Sequence, residues 1–313
     1  MAGEARKGLR GTGELAGWWD RYWFTPAPTV NLALARVLAV AAQVFWLFPS
    51  LDEQLVRLQS NPHFLHPQFL IRLVATVFPR ETWFTPQAIT VVWWSIKALG
   101  VLSLVGLFTR VVMPLFALGS WFLVAHRFSY GDVHHSEAMF AFFLLSLSLS
   151  PCGEDLSLDA WRKRRAGGAP AQVSPLARWP FALAHLLLAM AYLSTGLTKV
   201  VFGGLRWMNG YTLQSRTLQD ALGRDIPLGI WVAEHHTLAV MLSVGTIAFE
   251  LGFVASLFLP RWKTAFFAAA LAFHVGLHMV GGHGFFGHLT VVLILLICYD
   301  TPWLRPQPRL APA

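Results

Sequence analysis

The sequence has 313 residues, of which 55% are hydrophobic and only 13% charged, and its mean hydropathy is +0.52. This composition excludes an ordinary soluble protein and indicates a membrane protein with several spans. The formal net charge of +8 does not indicate a nucleic-acid partner, because the basic residues lie in short segments between apolar runs, where they act as orientation signals.

Eight stretches of the chain are apolar over about 20 residues, the length that a helix needs to cross a bilayer. The sequence therefore predicts an all-α fold, a polytopic membrane bundle of about eight transmembrane helices. In chain order, the predicted spans are 31–50, 87–109, 111–129, 134–150, 178–203, 237–259, 264–281 and 283–299. Only Arg110 separates the second span from the third, which predicts a tight helical hairpin.

The chain is predicted to have three parts. Residues 1–27 form a cytoplasmic or interfacial N-terminal segment, 28–305 the transmembrane domain, and 306–313 a disordered C-terminal tail. The stretch 62–80 is amphipathic and is interrupted by Arg72, which predicts an interfacial or re-entrant helix and not a span. After the fifth span, Pro227 is predicted to break a short helix in the outer loop.

The distribution of Lys and Arg sets the predicted orientation. With the N-terminus in the cytoplasm, fourteen of these residues fall in inner loops and six in outer loops. The densest group is "WRKRR" at 161–165. The prediction is an integral, multi-pass protein of the plasma membrane, namely a bacterial inner membrane, with both termini cytoplasmic and the lipid bilayer as a partner.

Ionisable residues within spans are costly and usually face the interior of the bundle or its interface. Four basic residues fall within the predicted spans or at their ends, namely Arg36, Lys97, Arg127 and Lys199. Glu250 is the main carboxylate within a span. A buried glutamate is either protonated or paired, and Lys97 or a histidine is the predicted partner.

Lys199 belongs to a helix face that is polar or small along its length. His185, Tyr192, Thr195, Gly196 and Lys199 recur on it at helical spacing. Small residues let a second helix or a flat ligand approach closely. Two interpretations stay open. Either the ammonium reaches the outer headgroups while the small residues pack helices, or a poorly solvated amine acts as a base near neutral pH.

The twelve histidines are the second concentration of reactive groups. Ten fall on the outer side of the predicted topology, including His278 of "HVGLH" at 274–278 and both histidines of "HHSE" at 134–137, whereas His274 falls about mid-membrane. One interpretation is a metal site or a bis-histidine haem, and the other is a set of hydrogen-bonded packing groups between helices. Cys152 and Cys298 form no CxxC motif, and no metal site is assigned.

Five stretches, in order, resemble the HTTM domain, the membrane domain of vitamin K-dependent gamma-glutamyl carboxylase and of bacterial homologues. "YLSTGLTKVVFGGLRWMNGYTL" at 192–213 is similar to the family signature of an aromatic residue, a small pair, a lysine, a tryptophan and a glycine. The other stretches are "LALARVLAV" with Arg36, "VGLFTRVVM" with Arg110, "HHSEAMFAFFLLSLSLSP" with His135, and "AFHVGLHMVGGHGFFGHLTVVLILL" with His278 and His283. The resemblance covers about residues 28–305.

The resemblance implies roles for individual residues. In the carboxylase, the lysine that matches Lys199 is regarded as the base that deprotonates vitamin K hydroquinone, and the histidine that matches His135 lies in the same region. Lys199 and His135 are therefore implied as catalytic, with reduced vitamin K or menaquinol as cofactor and an external protein or peptide as substrate. The implied quinol-binding residues are Tyr192, Thr195, Gly196, Trp207, His278 and His283.

The predicted function is quinol binding with lysine-assisted deprotonation, leading to oxygen-dependent epoxidation or carboxylase-like chemistry. Two alternatives belong to other classes. One is a non-catalytic membrane partner, such as an immunity or maturation protein. The other is a membrane oxidoreductase with a histidine-ligated metal or haem.

Overall fold

The computed structural model describes residues 17, 19–59, 65–79, 84–131, 133–169 and 172–299, which are mostly helical. The predicted all-α fold is confirmed. By contacts the chain divides into two compact units, Met1–Leu183 with Ile297–Ala313, and Ala184–Leu296. The three predicted parts of the chain stay predictions, and the predicted tail 306–313 lies outside the described residues.

Six helices among the described residues are long and apolar enough to cross a membrane. They are Thr29–Leu47, Pro86–Val105, Thr109–Phe128, Pro175–Gly203, His236–Leu257 and Pro260–Gly281. The fourth and eighth predicted spans are also helices, His135–Ser148 and Phe286–Cys298, but they have only 14 and 13 residues. Both are shorter than the roughly 20 residues that a straight span requires. The chain is thus a multi-pass helical membrane protein.

Besides the helical residues 19–24, the first unit contains seven α-helices and a small strand pair within its described residues. The helices are α1 (Thr29–Ala42), α2 (Leu51–Leu58), α3 (Phe69–Val77), α4 (Pro86–Val105), α5 (Thr109–Phe128), α6 (His135–Ser148) and α7 (Leu158–Arg165). Strands β1 (Ala27–Pro28) and β2 (Val173–Ser174) pair antiparallel, with Ala27 opposite Ser174. A π-helical turn, Gln43–Leu47, extends α1.

The predicted hairpin between the second and third spans is formed by α4 and α5. Helix α4 has a Thr85 cap that accepts a hydrogen bond from Ala88 N at 3.2 Å, with a proline at its first position. It ends at Gly106, whose φ of 70° lies in the left-handed region that favours glycine. A Cβ at Gly106 would also collide with Ser157, so glycine is required there for two reasons.

The predicted non-spanning helix within 62–80 is present as α3, which covers nine residues. Its length is about 14 Å, less than half of a bilayer core. Apolar Phe69 and Val77 are exposed on it, as is Arg72. This pattern is typical of a helix that lies in the membrane interface.

The second unit is built on the long helix α8 (Trp179–Thr198), whose first residues belong to the first unit. It continues through the π-helical turn Lys199–Gly203 into α9 (Leu205–Met208), α10 (Tyr211–Arg224), α11 (Pro227–Glu234), α12 (His236–Gly252), α13 (Lys263–Gly281) and α14 (Phe286–Cys298). A 3-10 segment, Phe253–Leu257, extends α12. The predicted break at Pro227 is confirmed, because α10 ends before it and Pro227 opens α11.

Candidate functional site

Helix α8 and the π-helical turn that continues it carry three polar side chains at intervals of seven residues. Seven residues make about two turns, so His185, Tyr192 and Lys199 lie above one another on one face. Each binds a side chain of another segment. The pairs are His185 Nε2 with Ser256 Oγ (2.7 Å), Tyr192 Oη with His274 Nε2 (2.7 Å), and Lys199 Nζ with both carboxylate oxygens of Glu250 (2.6 and 2.7 Å). These pairs connect α8 to α13 and to α12 with its extension.

The Lys199–Glu250 ion pair is the most polar contact of this face. The Glu250 side chain is 6% exposed and that of Lys199 is 21% exposed. The ammonium also lies 5.2 Å from the centroid of the Trp207 ring, within the range of a cation–π interaction. Because both charges are largely removed from water, each depends on the other for its stabilisation. The exposed part of Lys199 is where a ligand can reach the pair.

The backbone is unusual at Lys199. This residue begins a π-helical turn that ends at Gly203, and such wide turns occur frequently at functional sites. Gly204 follows with φ 55° and ψ −146°, a conformation that is essentially restricted to glycine. The chain then turns into α9, which carries Trp207. The glycines therefore allow the tryptophan to lie over the lysine eight residues earlier.

The ion pair lies within the length of a spanning helix. Glu250 comes fourteen residues after His236, where α12 begins, and seven before Leu257, where the spanning helix ends. At 1.5 Å per residue, these separations are about 21 Å and 10 Å. Lys199 itself lies four residues before Gly203, where its own spanning helix ends, and its ammonium is bound there by the Glu250 carboxylate. The interpretation in which Lys199 reaches the outer headgroups therefore stays a prediction.

The small residues of the face serve helix packing. A Cβ on Gly196 would lie 2.9 Å from Leu251 Cδ2 and 3.0 Å from Glu250 Cβ, so α12 approaches α8 closely at this point. Thr195 is exposed and bonds within its own helix, to Ala191 O at 3.1 Å and Tyr192 O at 2.9 Å. Close approach at Gly196 is what allows the Lys199 side chain to meet Glu250.

Aromatic rings surround the Tyr192–His274 pair. The Tyr192 ring lies 5.0 Å from Phe249 and 4.8 Å from Phe253, and all polar members of this cluster are buried. His274 stacks on His288 at 5.4 Å with an interplanar angle of 12°. These contacts match the interpretation of the histidines as packing groups between helices. Among the described residues, no group of three or more His, Cys, Asp or Glu side chains is arranged to hold a metal ion.

Two further histidines of the implied quinol-binding set lie near the turn between α13 and α14. His283 Nε2 is 2.9 Å from Asp220 Oδ2. Arg224 donates to the same carboxylate at 3.0 Å and to Gly281 O at 2.9 Å. His278 is one turn beyond His274 on α13, exposed, with its ring 5.4 Å from Phe286. His283 therefore connects the turn to α10.

The implied catalytic histidine, His135, belongs to the first unit. It is the first residue of α6, directly after His134, which precedes the helix. Of the residues implied by the resemblance, the structure brings Lys199 and Trp207 into contact, and it places Tyr192, Thr195 and Gly196 on the same helix.

Glu250 was predicted to pair with Lys97 or a histidine, and this prediction is wrong. Its partner is Lys199, and neither Lys97 nor a histidine binds it in this way. Lys97 instead donates to Val44 O at 3.0 Å and lies over Phe48 (4.8 Å) and Trp93 (5.1 Å). The missed signal was charge complementarity, because Lys199 and Glu250 occupy consecutive predicted spans.

The HTTM domain family matches residues 24–303 of the chain. No curated protein and no solved structure matches it. Because the family match covers nearly the whole chain, the chain belongs to the HTTM domain family, as the five stretches of the sequence indicated.

Proposed function

We propose that this HTTM-type protein binds a lipophilic quinol, of the vitamin K hydroquinone or menaquinol class, and removes its phenolic proton at the Lys199–Glu250 pair. The observation that carries the proposal is a solvent-poor ion pair within a spanning helix, with only its lysine partly exposed. Such a pair combines a proton acceptor with a fixed positive charge. Those are the two groups that deprotonation of a phenol in an apolar site requires.

The residues around the pair fit a flat, aromatic diol. Trp207 lies beside the ammonium, and Tyr192 begins an aromatic cluster two turns along the same helix. Ligand sites of this kind are mostly apolar, with few polar groups that fix the orientation. A phenolic hydroxyl can donate to the carboxylate while its oxygen approaches the ammonium.

The ion pair changes the role that the resemblance implies for the lysine. An ammonium has no lone pair with which to accept a proton, whereas the Glu250 carboxylate has. In the proposed step the O–H bond of the quinol breaks, the proton passes to a carboxylate oxygen of Glu250, and the electron pair stays on the phenolic oxygen. Lys199 then stabilises that negative oxygen. Total charge in the site is unchanged, which favours the step where little water is present.

The finer parts of the proposal rest on the resemblance alone. They are the role of His135 as a catalytic residue, the oxygen-dependent epoxidation or carboxylase-like chemistry after deprotonation, and the external protein or peptide substrate. The bacterial inner membrane and the cytoplasmic termini rest on the distribution of Lys and Arg and stay predictions.

The test measures quinol binding and deprotonation separately. Purified protein in detergent is titrated anaerobically with a short-chain menaquinol, and the ultraviolet absorption of the quinolate anion is followed. Oxygen is then admitted, and oxygen uptake and epoxide are measured. We expect wild type to bind and ionise the quinol, Glu250→Gln to bind it without ionisation, and Lys199→Met/Glu250→Leu to do neither.

A quinolate signal that is still present in the Glu250→Gln protein would show that Glu250 is not the base, and Lys199 would then be assigned that role. No quinol binding by folded wild-type protein would refute the proposal as a whole. The pair would then be a packing contact between helices, and the non-catalytic membrane partner would be the leading alternative. His135→Gln is assayed in parallel, because the role of His135 rests on the resemblance and not on the ion pair.

A further inference from the structure

The four cationic side chains of the basic helix α7 have two kinds of partner, carboxylates and aromatic rings. Lys163 Nζ lies 3.0 Å from Glu154 Oε2, and Arg164 Nη2 lies 2.8 Å from Asp155 Oδ1. Arg162 and Arg165 instead have aromatic neighbours, at 5.5 Å from the Phe108 ring and 4.3 Å from the Trp161 ring. Lys163 and Arg164 are therefore paired with nearby carboxylates. Arg162 and Arg165 lie over rings, and Arg162 also interacts electrostatically with Asp159.

The two arginines share one face with apolar side chains. Leu158, Trp161, Arg162 and Arg165 follow the i, i+3, i+4, i+7 spacing that aligns side chains on a helix. All four are exposed, Leu158 by 40% and Trp161 by 47%. Ala160, on the opposite side of the helix, is buried. The face turned away from the protein thus combines two guanidinium groups with apolar surface.

The helix is fastened to the turn between two spans. Asp159 N donates to Gly106 O at 3.1 Å. The Asp159 carboxylate accepts from Phe108 N (2.9 Å), from Thr109 N (2.7 Å) and from Thr109 Oγ1 (2.8 Å). These contacts fix α7 beside the ends of α4 and α5, the level at which lipid headgroups meet a membrane protein. The Asp159 carboxylate, which lies closest in sequence to Arg162 and Arg165, therefore already accepts three hydrogen bonds from the start of α5 and the residue before it.

We propose that the face formed by Leu158, Trp161, Arg162 and Arg165, with neighbouring Phe108, binds the headgroup of an anionic phospholipid. Guanidinium groups donate in a planar fork that matches phosphate oxygens and can stack on aromatic rings at the same time. The indole and the apolar side chains fit the glycerol and upper acyl region, where tryptophan is enriched in membrane proteins.

The apolar part of the face favours a lipid over a soluble anion or an acidic protein. A soluble anion needs only the two guanidinium groups and gains nothing from Leu158, Trp161 and Phe108, the last of which is 62% exposed. Large apolar side chains on the surface are costly unless lipid or a partner covers them. At the end of a spanning helix, lipid is the component that is always present.

The experiment uses the full chain in dodecyl maltoside, with dioleoylphosphatidylglycerol as probe and native mass spectrometry to count bound lipid. Dioleoylphosphatidylcholine and inorganic phosphate are the comparison arms. The test variant is Arg162→Gln/Arg165→Gln, and the matched control is Lys163→Gln/Arg164→Gln, which removes the same charge from the same helix. Trp161→Ala tests the apolar part.

Each basic residue near a membrane surface contributes about 1 kcal/mol to anionic lipid binding, so loss of two arginines is expected to weaken phosphatidylglycerol binding by roughly 10- to 30-fold. We expect the control to bind within about twofold of wild type, and Trp161→Ala to lose lipid without losing affinity for phosphate. An equal loss of phosphatidylglycerol affinity in both double variants would overturn the proposal, because the number of positive charges on α7, and not their position, would then determine binding. Equal binding of phosphatidylcholine, or full competition by inorganic phosphate, would also overturn it.

Discussion

Removal of one member of the Lys199–Glu250 pair is expected to destabilise the protein far more than removal of both. Lys199→Met leaves the Glu250 carboxylate, 6% exposed, without its counter-ion, which costs about 3–5 kcal/mol. Glu250→Leu leaves an ammonium that is 21% exposed and can keep some water, so the expected cost is lower, about 2–3 kcal/mol. The double variant Lys199→Met/Glu250→Leu replaces the pair by apolar groups. Its free energy of unfolding is expected to lie within about 1 kcal/mol of the wild-type value.

The chain offers both a reporter and a control for this measurement. Cys152 and Cys298 are buried free thiols, so a thiol-reactive dye reports unfolding in detergent. A loss of 3–5 kcal/mol corresponds to a fall of the thermal midpoint on the order of 10 °C. The matched control is Lys97→Met, because Lys97 binds a carbonyl and two rings and its loss leaves no carboxylate behind. Its expected cost is about 1–2 kcal/mol.

Two results would refute the reasoning. One is a double variant whose loss equals the sum of the two single losses, because the charges would then not compensate each other. The other is an equal effect of the two lysine substitutions, because the buried carboxylate would then carry no penalty of its own.

Three further predictions concern stability in the same dye assay. Gly196→Ala is expected to cost about 1–3 kcal/mol by forcing α8 from α12, whereas Gly245→Ala, whose added Cβ meets no atom within 4 Å, should cost none. Tyr192→Phe removes the hydroxyl that bonds His274 and should cost about 1–2 kcal/mol. Burial alone would raise the pKa of Asp159, but its hydrogen bonds to the start of α5 outweigh this, and its pKa lies below the usual value. Asp159→Ala should therefore cost about 1 kcal/mol at pH 7, a difference present above the ordinary aspartate pKa and lost as pH falls through the lowered one.

Each of these expectations has a contrary result. A Gly245→Ala loss as large as that of Gly196→Ala would show that the helices do not meet closely at Gly196. An unchanged thermal midpoint for Tyr192→Phe would show that the hydrogen bond to His274 does not stabilise the protein. A pH dependence of Asp159→Ala that begins near neutral pH would show that the carboxylate is not held ionised by α5.

The sequence predicted the helices well, because a spanning helix is a local property. Apolar runs of sufficient length, the break at Pro227 and the hairpin of the second and third spans are visible without any tertiary contact. The junction of that hairpin was predicted at Arg110, whereas the structure places it at 106–108. The lengths of the fourth and eighth helices were less predictable. Only Leu149 continues the apolar run past Ser148, and the helix ends there in a hydrogen-bonded turn.

The candidate site was predicted in part, because its partners lie far apart in the chain. Spacing on one helix was enough to group His185, Tyr192 and Lys199. It could not identify Glu250 as the partner of Lys199, since a sequence separation of 51 residues allows many arrangements of the spans. The π-helical turn at Lys199 also has no simple sequence pattern, although the two glycines that follow it were visible.

The position of Glu250 along α12 has an electrical consequence. A proton that reaches the ion pair from the His236 end travels along about two thirds of the spanning helix, and hence through a similar share of any voltage across the bilayer. At 100 mV a full crossing corresponds to about 2.3 kcal/mol per charge, so this partial crossing corresponds to about 1.5 kcal/mol, close to a tenfold change in an equilibrium constant. Movement of a charge between the pair and the His236 end of α12 is therefore expected to depend on the voltage across the bilayer.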